Sequence, residues 1–351
     1  MVIEQTKNQE FFKGMKMINI GILGAGRIGK VHVKSLKQIS GVHIKSIADP
    51  YLDEAWAKTQ NIKNCYKNTD DILNDDEIDA VYICTPTDTH ADLIIQAAKK
   101  NKAIFCEKPV DINLNRILEV SKILKETKVL CHLGFNRRFD ISFAKLAKEV
   151  EDKTLGDIIS IKIISRDCAA PPKEYVKTSG GMFLDMTIHD FDMLRFISKK
   201  EVKEVFVKGG SFVSSYGDID IDTAMIHLEL EDKSLALIEN CRATTFGYDQ
   251  RIEVFGTKAQ GKCGNILENS FELTNDNGNT QAKALDFFLE RYEQAYFKES
   301  QTFVENILDK SKNLGAKIND CLEATFIALA CKKSLEEKRA VTIDEIKRTI
   351  K

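Results

Sequence analysis

The 351-residue sequence has no excess of charge of either sign. It sets 51 lysines and arginines against 53 aspartates and glutamates, for a net charge of −2. A chain with no strong field of its own has no built-in pull on nucleic acid or on an anionic membrane, so neither is expected as a partner. No stretch approaches the ~20 apolar residues that a membrane-spanning helix needs. The opening MVIEQTKNQEFFKGMK lacks the apolar core of a secretory signal. Nine cysteines are present, at Cys65, Cys84, Cys106, Cys131, Cys168, Cys241, Cys263, Cys321 and Cys331. Their number is odd and no CxxC pair occurs, so neither a disulfide framework nor a metal site is expected. Several lie within apolar runs such as VYICTP and AIFCEKP, where they read as small buried hydrophobes in a reducing compartment. Internal repeats and low-complexity segments are also missing. These absences leave a soluble, cytoplasmic, globular chain whose length suits two domains.

What is present is a rhythm. After a tail over residues 1–16, short apolar runs alternate with segments of helical spacing. INIGIL, VHIKSIAD, DAVYICTP, AIFCEKP and VLCHLGFN read as buried strands. IGKVHVKSLKQI, YLDEAWAKTQN, THADLIIQAAKKN and NRILEVSKILKETK read as the helices between them. Such alternation predicts an α/β Rossmann unit, a doubly wound parallel sheet, over residues 17–137. The rhythm then changes. GDIISIKIISRD, VKEVFVKGGSFV, TAMIHLEL, LALIENCRA and RIEVFG read as longer strands. In TAMIHLEL, Ala224, Ile226, Leu228 and Leu230 fall on one face and Met225, His227 and Glu229 on the other. LELEDKSLALIEN predicts a hairpin turning at Asp232–Ser234, and CLEATFIALACKKSLEEKR a closing helix. Residues 138–351 are therefore expected to form an α+β domain with a large, mostly antiparallel, open-faced sheet.

The first strand runs into Gly24-Ala25-Gly26-Arg27-Ile28-Gly29, a GxGxxG turn that opens a helix. That setting is what a dinucleotide needs. The first glycine makes the tight turn, the second lets backbone approach a pyrophosphate, and the third lets helix and strand pack closely. The helix N-terminus offers N–H groups and a positive dipole end to the phosphates. Asp49 ends the second strand, 25 residues after Gly24, where a carboxylate can accept from ribose hydroxyls and would repel a 2′-phosphate. NAD is the expected cofactor. Thr85 and Pro86 end the third strand at the edge where such sheets bind ligands. His90 follows them, either as a polar neighbour of the cofactor or as a helix-start residue with no ligand.

Glu107-Lys108-Pro109 ends the fourth strand on the same edge. An ammonium there can stabilise a developing alkoxide, although a surface lysine is the alternative. Further on, GGMFLDMTIHDFDMLRF carries Asp185 and His189 four residues apart. On one continuous helix they would share a face with Asp192. Alcohol oxidation needs a base, and histidine has a suitable ordinary pKa of about 6.5. Which of the two takes the proton first is open at this point, as is a purely helical role for the pair.

Together GILGAGRIGKVH, TPTDTH, EKP, GFNRRFD, SRD, PPKEYVKTSGGMFLDMTIHDFDMLRF and GYDQRIEVFG resemble the glucose-fructose oxidoreductase/inositol dehydrogenase/rhizopine-catabolism (Gfo/Idh/MocA) family over nearly all of the chain from Met17. The long GGMFLDMTIHDFDMLRF run and GYDQR resemble its inositol branch. The resemblance implies a catalytic set falling on Lys108, Asp185 and His189. It also implies a cis peptide before Pro109 and open sheets paired in a homotetramer. It places Arg166, Asp167 and Tyr248 in the region that meets substrate hydroxyls, with Asn136 and Arg137 at the domain junction. The implied reaction is NAD-dependent oxidation of a small polyol, myo-inositol to its 2-keto form (scyllo-inosose). Another cyclitol or sugar, such as scyllo-inositol or a pyranose, is the alternative. Some relatives carry histidine and asparagine where this chain has Ser165 and Asp167, which leaves the preferred isomer open. A regulator that holds NAD without turnover, and an eliminating enzyme that retains NAD, are the readings from other classes.

Overall fold

The computed structural model describes residues 17–312 and 314–350; the expected tail over residues 1–16 lies outside them. The chain divides into two compact units. Of the described residues, one holds 17–136 and those of 294–322. The other holds Arg137–Glu293 and 323–350.

In the first unit, strands β1 (Ile18–Leu23), β2 (Val42–Ala48), β3 (Asn64–Tyr66), β4 (Ala80–Ile83), β5 (Ala103–Glu107) and β6 (Cys131–Gly134) form one sheet in the order β3-β2-β1-β4-β5-β6. Every pairing in it is parallel. β1, β4 and β5 are buried almost throughout, as parallel strands with helices on both faces must be. The five strands expected from sequence are present. β3 and the helix Asp70–Leu73 were not anticipated, because NCY and DDIL are too short for a period to show. Pro86 stands at the N-cap of the helix Thr87–Lys99 with φ −59°, a position where its missing N–H costs nothing. That helix buries Ala91, Ile94, Ile95 and Ala98, the stripe its spacing predicts.

The sequence reading carries the second domain unbroken to residue 351. In the structure, 294–322 belongs to the first unit instead. The helix Glu293–Leu308 delivers Phe303 and Val304 into the core of the parallel sheet. The Phe303 ring lies 5.4 Å from Tyr82 and 5.8 Å from Phe105. Nearby, Leu133 N donates to Ala316 O at 3.0 Å. Which core an amphipathic helix joins is decided by partners distant in sequence, so its period alone cannot reveal it.

In the second unit, β7 (Ile158–Arg166), β8 (Val202–Gly210), β9 (Thr223–Leu230), β10 (Leu235–Cys241), β11 (Asp249–Gly256) and β12 (Gln260–Cys263) are joined by the short β15 (Val341–Thr342). A separate exposed hairpin consists of β13 (Glu272–Asn275) and β14 (Gly278–Gln281). The large sheet has the order β12-β11-β7-β10-β9-β8-β15. Only β7·β10 is parallel. One face is buried through Ile161, Ile163, Ile226, Leu228, Ile238 and Val254, while Met225, Leu235 and Phe255 stand exposed on the other. The hairpin expected at Asp232–Ser234 is the β9–β10 connection, with Lys233 at φ 70°. The helices Ile141–Glu151 and Ile188–Ser198 pack on the buried side.

Replacing Phe303 with alanine should empty a site in the parallel-sheet core and cost about 3–5 kcal/mol. Urea unfolding of Phe303→Ala followed by Trp56 fluorescence measures it. Stability equal to wild type would mean that 294–322 does not pack as described.

Candidate functional site

The strand order of the parallel sheet reverses between β1 and β4, so their C-terminal ends lie side by side. Gly24 follows β1 with φ +98°, and a Cβ there would stand 2.6 Å from the Cys84 carbonyl oxygen. Only glycine fits this turn. At Gly26 a Cβ would meet nothing within 4 Å. Gly26 is the N-cap of the helix Arg27–Leu36 and contributes no side-chain cap. The backbone at Gly26, where the helix carrying Arg27, Ile28 and Gly29 begins, can thus be approached closely, as a bound diphosphate requires. At Gly29 a Cβ would collide with the Gly24 carbonyl, which explains the third glycine.

Asp49 lies just beyond β2. Its Oδ2 accepts from Ala25 N at 2.8 Å and its Oδ1 from Tyr51 N at 2.8 Å. The carboxylate therefore ties the glycine turn to the end of β2. It still has lone pairs for ribose hydroxyls, since two oxygens offer about four acceptor sites. A hollow beside it is lined by Tyr51, Leu52, Tyr66 and Lys67. Open backbone at Gly26, a helix end without a cap and a carboxylate at the end of β2 fit a dinucleotide.

The ends of β4 and β5 carry the remaining predicted residues of this unit. Thr85 Oγ1 shares a 2.6 Å hydrogen bond with Thr89 Oγ1, and Pro86 leads into the next helix. His90 is 2% exposed, with Nδ1 2.8 Å from Pro109 O and Nε2 2.7 Å from Thr85 O. Glu107, grouped with the cofactor residues from sequence, directs its carboxylate to His32 Nε2 at 2.7 Å. It packs so closely on Gly134 that a Cβ there would lie 2.8 Å from Glu107 Oε2. Lys108 is half-buried at the strand end, and the Lys108–Pro109 peptide is cis. Asn136, the last residue of this stretch, is buried.

In the second unit, Asp185 and His189 do not share one continuous helix. The helix Gly181–Asp185 ends at Asp185, and the helix Ile188–Ser198 starts after Met186 and Thr187. At the break the backbone turns back on itself and is tethered to a residue distant in sequence. Met186 N and Thr187 N both fold back on Met182 O, and the Thr187 hydroxyl donates to Asn240 Oδ1 at 2.7 Å. Asp185 Oδ1 accepts from the Tyr175 hydroxyl at 2.8 Å, and Oδ2 accepts from Arg242 Nη1 at 3.1 Å. Arg242 is 1% exposed and also faces Asp220, at 3.5 Å.

Beside this lies a buried polar network. Arg137 Nη1 donates to Asp190 Oδ1 at 2.6 Å and to Ser165 Oγ at 3.0 Å, and its Nη2 donates to Tyr248 OH at 3.3 Å. Asn240 Nδ2 donates to Asp190 Oδ2 at 2.7 Å. Tyr248 and Arg137 thus come together. Arg166 does not join them. Strand alternation sends Ser165, Asn240 and Gln250 to the helix-covered face, and Arg166 to the other. There it pairs with Glu239, and with Asp249 Oδ2 at 2.9 Å. Asp192 is likewise committed, accepting two hydrogen bonds from Arg138. Asp167 follows β7 and retains some exposure. Burial pushes its carboxyl up to about 7, with Asp185 and Asp190 adding to the rise and Arg137 and Arg242 opposing it.

Sequence reasoning missed Arg242, Tyr175, Asp190 and Asn240. Asp190 sat in plain view in the IHDFD run, but its neighbours Asp185 and Asp192 fit the assumed single helix better. Arg242 and Asn240 lie in LALIENCRA, where a charged or amide residue inside an inward-facing strand pattern is a signal worth reading.

Comparison with known proteins adds to the geometry. Residues 18–135 match the model of an oxidoreductase family with an NAD-binding Rossmann fold, and residues 143–262 match the GFO/IDH/MocA C-terminal domain. The chain is 41% identical to the myo-inositol 2-dehydrogenase of Thermotoga maritima, covering 94% of this chain and 99% of that protein. It is 40% identical to the inositol 2-dehydrogenase of Rhizobium meliloti, covering 93% and 99%. A scyllo-inositol dehydrogenase from Lactobacillus casei, solved with bound NAD(H) and scyllo-inositol, superimposes with a TM-score of 0.85. The two are 30% identical, over 94% of this chain and 100% of that one.

Asp167 makes stability depend on pH. Its ordinary value is 3.8, and in the folded chain it titrates near 7. Between these values the folded state holds a proton that the unfolded state has lost, so stability falls as pH rises through this window and levels off above it. Asp167→Asn removes that dependence. The urea midpoint of Asp167→Asn relative to wild type should climb from pH 5 to pH 8. A difference independent of pH would show that the carboxyl titrates normally.

Proposed function

The chain belongs to the Gfo/Idh/MocA oxidoreductase family, and from that premise we propose that it oxidises myo-inositol to its 2-keto form (scyllo-inosose) with NAD as acceptor. The observation that carries the reading is likeness to inositol 2-dehydrogenases along nearly the whole chain. The glycine turn, with open space at Gly26 and Asp49 beside it, supports it.

Bound NAD supplies the hydride acceptor. The backbone N–H groups after Gly26, from Arg27 to Gly29, hold its diphosphate, and Asp49 accepts from its ribose. Thr85, Pro86, His90 and Glu107 shape the adjoining strand ends, His90 and Glu107 from beneath rather than by contact. Lys108 presents an ammonium to the hydroxyl being oxidised and stabilises the alkoxide. His189 takes the hydroxyl proton, since imidazole is the natural base near neutral pH. Asp185 orients the reacting group, its own carboxylate fixed by Tyr175 and Arg242. Asn136, Asp167 and Tyr248 serve the remaining substrate hydroxyls. Arg137, anchored on Asp190, supports Tyr248 from behind.

A second reading is oxidation of scyllo-inositol, favoured by the likeness to the enzyme solved with that cyclitol. We further place the protein in the cytoplasm, as a homotetramer joined through the sheet face that exposes Met225, Leu235 and Phe255. Its role is in inositol catabolism.

Purified protein incubated with NAD and a panel of cyclitols and pyranoses should generate NADH, read near 340 nm, fastest with myo-inositol. A protein that binds NAD but reduces none of it with any inositol isomer would refute the reading. Lys108→Ala should lower kcat by about 10²–10⁴-fold and leave NAD affinity close to wild type; a near-normal rate would remove the lysine from the mechanism. Asp49→Ala should weaken NAD binding by roughly 10–100-fold, the value of hydrogen bonds to a charged group. Calorimetric titration checks this, and an unchanged Kd would count against the ribose role.

A further inference from the structure

His90 lies where the segments after β4 and β5 meet, and its imidazole faces backbone on both sides. Its ring is buried, and both of its nitrogens meet backbone carbonyl oxygens, Nδ1 that of Pro109 at 2.8 Å and Nε2 that of Thr85 at 2.7 Å. Those carbonyls belong to two different strand ends. Thr85 follows β4, and Pro109 follows β5 and is bonded directly to Lys108. We propose that His90 is a positioning residue for Lys108, a strut that holds the Pro109 carbonyl against the end of β4 and so fixes the backbone from which the lysine projects. This rests on the reading that Lys108 takes part in the chemistry.

The argument begins with hydrogen-bond inventory. A carbonyl oxygen only accepts, so each contact is attractive only where the facing nitrogen carries hydrogen. Burial pushes the imidazole below its ordinary 6.5, while the backbone bonds to Pro109 and Thr85 and the nearby Glu107 carboxylate act against burial. A ring that has lost its charge keeps one N–H and therefore one strong hold. We assign the remaining N–H to Nδ1, 2.8 Å from the Pro109 carbonyl, because Pro109 is bonded to Lys108. The Nε2 side reaches Thr85, which follows β4 and is not bonded to Lys108.

Mimics of the two ring nitrogens separate these contacts. The asparagine amide nitrogen falls near the place of Nδ1, and the glutamine amide nitrogen near that of Nε2. His90→Asn should therefore keep kcat within about threefold, whereas His90→Gln and His90→Ala should lose about 10–100-fold, the usual cost of a mispositioned reacting group. KM and Kd for NAD should change little in all three. Wild-type kcat in the glutamine and alanine variants would overturn the proposal. So would an equal loss in all three, or a loss confined to NAD binding.

A second readout does not need the substrate. The rate of acetylation of the Lys108 amine by acetic anhydride, measured by peptide mass spectrometry, should change in the glutamine and alanine variants and be retained in the asparagine variant. Identical rates in all four proteins would overturn the strut. If wild type oxidises no cyclitol, the reading of function fails while this labelling pattern still decides the role of His90.

Discussion

The Gly24 turn is pressed against the Cys84 carbonyl, and much of the parallel-sheet unit is arranged around that near-contact. The strand order reverses there, bringing the end of β1 beside the end of β4. A side chain at residue 24 would need both a left-handed backbone and space that the Cys84 carbonyl already fills. With glycine in place, the chain can leave the strand and start a helix at once, with room beside the backbone at Gly26. Asp49 then locks the turn from the side by accepting from Ala25 N. A phosphate cradle results from backbone alone, which is why the pattern needs so few specified side chains.

The second unit follows a different logic. Its candidate residues are held by charges taken out of water. Asp190 is fully buried and receives Arg137, Ser165 and Asn240 together. Arg242, equally buried, reaches Asp185. Taking such groups out of water is costly, and their pairing recovers that cost only when geometry is good. The gain is orientation: a buried guanidinium with committed partners leaves Asp185 and Tyr248 few alternatives. The raised Asp167 carboxyl is the other face of the same environment, since burial there outweighs the two nearby arginines.

The parallel sheet was largely legible. INIGIL, DAVYICTP and AIFCEKP are strands because they are continuous apolar runs stopped by glycine or proline. TAMIHLEL alternates with period two, and its burial follows that alternation residue by residue. Short elements escaped, NCY among them, because three residues cannot display a period. At the candidate sites, residue type and strand-end position pointed to Gly24, Gly26, Asp49 and Lys108. Side-chain direction was not legible. Glu107 turns inward to His32, and Arg166 turns to the sheet face away from Asp190. The i, i+4 pairing of Asp185 and His189 assumed a helix that Thr187 interrupts by donating to Asn240, a residue 53 positions further along.

By itself the sequence determined the local alphabet of this protein: where strands stop, where the backbone makes a tight turn at Gly24, and which face of β9 is apolar. These follow from sterics and from periods of two and 3.6, which act over a few residues. Only the tertiary structure decided which core receives Phe303, which carboxylate anchors Arg137, and what both nitrogens of His90 hold. Each of those outcomes depends on which groups packing brings together out of water, and desolvation is a property of the packed neighbourhood rather than of any segment.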